Sequence, residues 1–566
     1  FEDLHWADTS LLDFIEYLLE WSRESPLYVV TLARPELQER RPGWGAGQRN
    51  FSSLYLEPLS PAAMQELLEG LVPGLPDRLK EQILARAQGV PLYAVETVRM
   101  LLDRGLLVQD GPIYTPTGEI ETLEVPETLH ALIAARLDGL SAEERRLLQD
   151  GAVLGKTFTH SAIAALAQGS NGEVEPLLAG LVRKEVLGVQ SDPRSPERGQ
   201  YGFLQDLVRH VAYETLSKRE RKARHLAAAE HLEAAFAVHE EEIAEVLASH
   251  YLAAAEAAPD AEDAETIRVK AGEMLRRAGE RAASLGAPDE GQRYYEQAAD
   301  LARDPLLEAE LLEQAGRLAI QANRSTESRE RLERAIQLYA DAGQERASAL
   351  ASAALADADV DQGRLAEAAT RLGAAVDQLE QGEPSSELAA ALAQLGRALA
   401  LSGHVDEAVA PLERALTLAE RLQLPDVFVE ALTTKGVVLM LQSRLGEARI
   451  QLEAAIARAH DEQLYESALR AENNLLVVLE SSDRYAEEVD LAERSIALAR
   501  RRGDRRWQAN LQTGMVAPLF PLGRWDEALL IAEEEDSAAV SELSRGQLLS
   551  AALIDCERGD LKAAEA

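Results

Sequence analysis

From about residue 270 onward one pattern returns at a nearly fixed interval, and it limits the fold more than any other feature of the chain. A landmark residue, usually small, falls at Gly291, Ser328, Ala368, Ala408, Ala448, Glu488, Ala528 and Ala564, with spacings of 37, 40, 40, 40, 40, 40 and 36. Five positions before each stands a turn former: Gly286, Asn323, Gly363, Gly403, Ser443, Asp483, Gly523 and Gly559. Seven positions after come Ala298, Ala335, Ala375, Ala415, Ala455 and Ser495, all small enough to let neighbouring helices approach. GHVDEAVAPLERAL, GRLAEAATRLGAAV and GRWDEALLIA read as variants of one helix–turn–helix unit. Such a unit cannot bury its apolar face alone, so the pattern predicts stacked hairpins, an α-solenoid.

The remaining length demands more. The chain has 566 residues, and at roughly 150 residues per domain that suggests about four domains. Hydrophobic residues make up 46% and charged ones 27%, a globular balance, while aromatics at 5% favour helices packed through Ala and Leu over β-sandwiches. The net charge is 58 − 97 = −39, which repels a phosphate backbone and argues against direct nucleic-acid binding. A single cysteine, Cys556, excludes an internal disulfide and a cysteine zinc cage. Together with the lack of a secretory signal it points to the cytoplasm. No run of about 18 apolar residues is present, so no membrane span is expected. The ten histidines are scattered without ligand spacing, and no Gly-x-Ser-x-Gly elbow occurs.

The front of the chain is mixed. Apolar runs at 27–33 (LYVVTLA) and 54–59 (LYLEPL) read as buried parallel strands, and Leu11, Leu12, Ile15, Leu18 and Leu19 recur at helical spacing. Helices are expected over Pro61–Val72 with Ser60 as N-cap, Pro76–Ala87, Leu92–Arg104, Pro126–Leu137, Ala142–Ala152, Glu173–Arg183 and Asp206–Ser217. Val186–Gln190 and Tyr201–Leu204 should pair across the loop SDPRSPERG, a helices-then-hairpin order that resembles a winged helix. The expected domains are 1–60, the second half of an α/β sheet, which the resemblance set out below makes part of a P-loop NTPase domain; 61–112, helices that the same resemblance makes a helical lid; 113–217, winged-helix-like; 218–270, connecting helices; and 271–566, the repeats. The fold class is thus mainly α with a partial α/β domain.

The opening line FEDLHWADTSLLDFIEYL carries the chemistry. Adjacent acids after an apolar residue, Glu2 and Asp3, suit the end of a buried strand, where one holds Mg²⁺ through water and the other orients an attacking water. The string hEDLHWAD followed by a helix, a strand and Arg34 resembles the Walker B region of signal-transducing P-loop ATPases with numerous domains. The likeness continues through TLARPE, GVPLYAVETVRML, YGFLQDLVRHVAYETL and then tetratricopeptide-like repeats in the same order, over essentially the whole chain. It is closest to the ATPase–repeat portion of bacterial proteins with class III adenylate/guanylate cyclase domains. The resemblance implies that Arg34 lies near the γ-phosphate and that Gly89 and Pro91 lie against the adenine of ATP. It also implies Glu2 and Asp3 as the catalytic carboxylates, with ATP and Mg²⁺ as cofactors.

The chain departs from that family in one respect: no Gly-x-x-x-x-Gly-Lys-Ser/Thr occurs, the loop whose N–H groups and lysine hold phosphates. Starting at Phe1 without Met and ending at Ala566 inside an apparent helix, the chain reads as part of something longer. Alone it is expected to bind ATP poorly and hydrolyse it negligibly. Each singled-out residue also has a plainer reading. Asp8 caps the next helix, His5 and Trp6 support a strand end, Arg34 simply ends a strand, and Pro91 simply starts a helix. Loop 40–50 with Trp44 is a mobile surface, and Lys218–His225 is a solvated helix face rather than a DNA contact.

Three functions fit this sequence. The first is a regulatory ATP switch whose solenoid takes a protein or small-molecule inducer and whose output is a nucleotide cyclase outside the chain. The second is a transcriptional activator with a DNA-binding module beyond Ala566. The third is a non-enzymatic scaffold. Oligomerisation stays open.

Overall fold

The computed structural model describes all residues except 8, 23–25, 43, 46–50, 118–127, 168–170, 191–197, 238–239, 323, 503, 535–552 and 555–566. It divides the chain into two compact units, Phe1–Arg303 and Asp304–Ala566. Asp8, Asn323, Gly559, Ala564 and Cys556 of the sequence reading lie outside the described residues. No described helix is long and apolar enough to cross a membrane.

The first unit opens with a 3₁₀ turn, Leu4–Trp6, then α1 (Thr9–Trp21) and α2 (Glu36–Arg40). Leu4, Leu12, Ile15 and Leu37 form a small core there, with Trp44 packed on it. Residues 27–33 and 54–59, expected as strands, are extended but join no sheet among the described residues. A strand needs a neighbouring backbone, and only Phe1–Leu4 supplies one: the Phe1 amine donates to Val30 O at 2.8 Å, and Leu32 N donates to Phe1 O at 2.8 Å. This is the offset of two parallel segments joined through α1. Residues 54–59 pair with no strand among the described residues, although Leu59 N donates to Gly89 O at 2.8 Å, and Leu54 and Leu56 are about 85% exposed.

Three helices follow: α3 (Pro61–Leu71), capped by Ser60 as expected, α4 (Asp77–Ala87) and α5 (Pro91–Asp103). Then comes a hairpin of β1 (Leu107–Asp110) and β2 (Ile113–Pro116), which the sequence reading overlooked. Its two-residue loop starts with Gly111 at φ 64°, the left-handed geometry that a tight hairpin turn requires. Next are α6 (Leu129–Asp138), α7 (Ala142–Leu154), β3 (Thr157–Phe158), α8 (His160–Ala167) and α9 (Asn171–Arg183). The expected hairpin forms as β4 (Leu187–Val189) and β5 (Tyr201–Phe203), and β3 joins it in the order β3-β5-β4. Phe158 and Phe203 meet edge to face at 6.0 Å over a core that includes Ile163, Leu178 and Val208. The unit continues with α10 (Asp206–Glu214), α11 (Lys218–Ala235), α12 (Ala244–Ala257), α13 (Ala264–Ser284) and α14 (Pro288–Leu301).

The second unit is a run of antiparallel helical hairpins. They are α15 (Pro305–Gln321) with α16 (Ser325–Asp341), α17 (Glu345–Asp361) with α18 (Leu365–Leu379), and α19 (Ser386–Leu401) with α20 (Val405–Leu422). After them come α21 (Pro425–Leu441) with α22 (Leu445–Asp461), α23 (Tyr465–Glu480) with α24 (Tyr485–Arg502), then α25 (Arg505–Gly514), α26 (Val516–Leu519) and α27 (Trp525–Glu534). The register read from the sequence holds in space. Ser328, Ala368, Ala408, Ala448 and Ala528 are fully buried, as are Ala335, Ala415 and Ala455 seven positions on. The turn residues Gly363, Gly403, Ser443, Asp483 and Gly523 all adopt positive φ.

A second register, sixteen residues long, interlocks each hairpin. A Cβ added to Gly396 would lie 2.5 Å from Leu412, and one added to Gly436 would lie 2.7 Å from Leu452. Gly316 stands in the same relation to Leu332, and in the first unit Gly279 to Tyr295. Ala356 faces Leu372 in one core cluster. The α23–α24 hairpin reverses the pair: Leu476 occupies the glycine position, and Ala492 occupies the leucine position. Volume is conserved while its owner changes, as close packing demands.

The α23–α24 hairpin also carries Glu488 at the landmark position where its neighbours have alanine. The residue is 4% exposed, Oε2 has no hydrogen-bond partner among the described residues, and burial, followed by the Glu480 charge, pushes its pKa up to about 8. An acid whose folded pKa is raised contributes fully below its ordinary value near 4.5 and costs stability as pH rises through 8. Glu488→Ala is therefore expected to stabilise the array at pH 7 by on the order of 3 kcal/mol. It should also flatten the loss of stability between pH 5 and pH 8 in urea unfolding followed by circular dichroism, whereas an unchanged pH slope would count against this assignment.

Candidate functional site

Four sets of residues form candidate sites. The first is the edge predicted to hold nucleotide. Asp3 sits at φ 57°, and this left-handed residue turns the chain from the Phe1–Thr31 pairing into the 3₁₀ turn. Glu2 and Asp3 are exposed, as is Arg34, which lies two residues past Leu32 on the facing segment. The parallel offset thus puts the two acids and Arg34 at the ends of adjacent segments. Asp3 is 3.3 Å from Lys156 Nζ, which lies just before β3; both side chains are more than half exposed. Such a pair contributes about 0–1 kcal/mol.

His5 is buried, and its carbonyl accepts from Arg40 at 2.6 Å; Arg40 also reaches Ala7 O at 3.2 Å. Arg41 pairs with Glu16 at 3.4 Å and stands over the Trp44 ring. The start of the loop expected to be mobile is therefore tied down; residues 46–50 lie outside the description.

Gly89 and Pro91 are placed differently. Gly89 has φ 82°, its carbonyl accepts from Leu59 N at 2.8 Å, and a Cβ on it would meet Leu59 O at 2.7 Å. Pro91 opens α5. The described contacts of this turn run to Pro58 and Leu59. For Mg²⁺ and ATP, two adjacent exposed carboxylates suit a cation held through water. Among the described residues no group of three acidic, histidine or cysteine ligands assembles around them. The donor set therefore suits a hydrated ion.

The second set was not legible beforehand. Glu96 on α5 is wholly buried and accepts from Arg99 at 2.9 Å, Arg136 at 2.8 Å and Gln205 at 2.8 Å. Arg136 on α6 also pairs with Asp103 at 2.9 Å and donates to Lys184 O, while Arg99 reaches Glu185 at 2.6 Å. One carboxylate thus fastens the α3–α5 helices to α6, the end of α9 and the start of α10. The signal in the sequence is an acid in register with Tyr93, Thr97 and Met100 on the buried face of α5.

The third set lies at α11. The basic stretch Lys218–His225 is not a bare solvated face. Arg224 pairs with the buried Asp150 at 2.6 Å, Arg221 lies 4.8 Å from the Tyr213 ring centroid, and Lys222 pairs with Asp263. His225 Nδ1 is 2.9 Å from His250 Nδ1, and its Nε2 is 3.0 Å from the Tyr213 hydroxyl. Burial lowers both imidazole pKa values to about 4, so both rings are neutral and the Nδ1–H of one donates to the Nδ1 of the other.

The fourth is a groove of about 660 Å³ in the second unit. First helices of the hairpins line it, from Gln321 on α15 through Arg397 on α19, Thr434 on α21 and Asn474 on α23 to Trp507 on α25. Arg470 pairs with Glu430 at 3.0 Å, and Gln394 also donates to Glu430. Asn510 donates to Asn473 Oδ1 at 3.4 Å, and Asn474 donates to Arg470 O. Amides and hydroxyls, beside the paired Arg470 and Glu430, offer the donors and acceptors that match a peptide backbone.

No family model matches the chain, and no curated protein matches it. Among solved structures, it resembles a signal transduction ATPase with numerous domains carrying a tetratricopeptide repeat sensor, from Pyrococcus horikoshii. The identity is 15%, covering 97% of this chain and 76% of that one, with a TM-score of 0.46. A Rap protein complexed with Competence and Sporulation Factor is 15% identical over 61% of this chain and 95% of that one, with a TM-score of 0.42. Aspartyl phosphate phosphatase F from Bacillus subtilis is 12% identical over 75% and 92%, with a TM-score of 0.35. At these identities and TM-scores function rests on this chain's own residues.

Proposed function

We propose that the chain is the sensor-bearing part of a nucleotide-dependent signalling switch. The observation that carries this reading is the parallel pairing of Phe1 with Thr31, which lines up Glu2, Asp3 and Arg34 at one edge, with Lys156 reaching Asp3. Two carboxylates and two cations at one edge form a set able to answer Mg²⁺ and a phosphate chain. When bound, Mg²⁺ would neutralise phosphate charge. Glu2 would hold its water shell, Asp3 would orient an attacking water, and Arg34 would meet the terminal phosphate. The sequence resemblance places Gly89 and Pro91 at the adenine, and puts the output in a nucleotide cyclase domain outside these residues. The helix, strand, two-helix and hairpin order of α7 to β5 supports a winged-helix reading of that region. The second unit would sense a protein or peptide inducer in the groove between Gln321 and Trp507.

Calorimetry of the complete protein with MgATP tests the nucleotide reading. Asp3→Ala is expected to weaken binding or slow turnover at least about tenfold, the scale of one lost charge-assisted contact. Lys156→Ala, which removes one of the two cations at that edge, should weaken binding in the same direction. Equal binding and turnover in the wild type and Asp3→Ala would sink the proposal.

A further inference from the structure

The second cavity of the array, about 790 Å³, lies on the side formed by the second helices of two neighbouring hairpins, α22 and α24, with α23 as its floor. Its lining residues have a regular spacing. On α22 they include Arg449, Glu453, Ile456 and His460, at steps of four, three and four. On α24 they include Glu487, Leu491, Arg494, Leu498 and Arg501, at steps of four, three, four and three. That is the heptad stripe with which one helix receives another, presented twice. Leu475 and Leu479 of α23 lie beneath. We propose that this slot receives one amphipathic helix of a partner protein, with apolar residues at three-and-four spacing and carboxylates along the edge that faces α24.

Charge selects the occupant. At one end the slot is closed by its own pairs: Arg449 bonds Glu453 at 2.6 Å and reaches across to Glu487 at 3.3 Å. In the floor, Glu472 is satisfied internally, by His460 at 3.0 Å and by the Ser495 hydroxyl at 2.7 Å. What faces the open length is then Asp490, Arg494 and Arg501. Arg494 donates to the carbonyl of Asp490, and among the described residues neither Arg494 nor Arg501 has a carboxylate partner. The last turn of α24 holds Arg500, Arg501 and Arg502, with Arg502 over the Tyr465 ring. An incoming helix that runs antiparallel to α24 brings an acidic first turn beside those arginines, where the full charges of its carboxylates outweigh the partial positive charge of its N-terminus, and leaves a neutral or basic residue for Asp490. The open stretch from Leu491 to Arg501 is about 15 Å, or three helical turns.

The test uses the whole chain and two synthetic eighteen-residue alanine-rich helices with the same leucine stripe, one flanked by glutamates and one by lysines. Fluorescence anisotropy at low salt should show the glutamate helix binding at least about tenfold tighter than the lysine helix, the change expected for two unpaired arginines finding partners. Arg494→Glu with Arg501→Glu should reverse that order. Both side chains are exposed, so the helical circular dichroism of the variant should match the wild type. Equal affinity for the two peptides, no binding of either, or an order unchanged by the double variant would overturn the proposal. So would a wild-type dimer in sedimentation that the double variant abolishes, because a second copy would then own the slot. None of these readouts depends on nucleotide.

Discussion

Gly436→Leu is expected to be among the most damaging single changes in the array. A Cβ at this position already falls 2.7 Å from Leu452 Cγ, so a leucine forces α21 and α22 apart. Overpacking of this kind costs about 1–3 kcal/mol, and more where the helices cannot yield. The better helix propensity of leucine returns less than 1 kcal/mol of that. The informative variant is the double one. Gly436→Leu with Leu452→Ala recreates the arrangement of Leu476 and Ala492 one hairpin along. It should regain most of the lost stability, although Leu452→Ala alone should cost about 2–5 kcal/mol as a buried leucine. Urea unfolding of the four proteins closes the cycle. Additive losses in the double variant would show that the two positions do not share one volume.

Glu96→Ala is expected to have the second large effect. It leaves Arg136, only 3% exposed at its side chain, facing a space where its carboxylate had been. Breaking a buried pair from one side costs about 3–5 kcal/mol, whereas replacing both members with apolar residues of similar volume can be nearly neutral. Glu96→Leu with Arg136→Met should therefore be more stable than Glu96→Ala, despite removing more hydrogen bonds. Thermal unfolding together with amide exchange over α5, α6 and the β4–β5 hairpin measures both effects. Loss of protection confined to α5 would mean that the carboxylate does not fasten these elements together.

The array was legible because its information is local and repeated. A turn former, a small residue five positions later and another seven beyond that return in register, and tertiary structure has only to stack them. The β4–β5 hairpin was legible for the same reason, since two short apolar runs flank a polar loop. The β1–β2 hairpin had its signal, Asp110-Gly111 between alternating residues, but a domain limit placed at 112 cut across it. Residues 27–33 and 54–59 show the converse: apolar runs describe a strand's faces, but a sheet needs a neighbour, and only Phe1–Leu4 stands beside the first of them. The site divides in the same way. Glu2, Asp3 and Arg34 stood out through a contiguous string and its family resemblance. Lys156 beside Asp3 joins residues 153 positions apart, and Glu96 with Gln205 joins residues 109 apart, separations that no single sequence discloses.

The sixteen-residue interlock joins only the two helices of the same hairpin, from Gly316 with Leu332 to Leu476 with Ala492. Excising one complete forty-residue period, or splicing in another, therefore leaves every remaining bulky-to-small contact matched. Array length is consequently an adjustable trait as far as this interlock is concerned, because each hairpin carries both members of its own pair and can be lost or gained over generations with them.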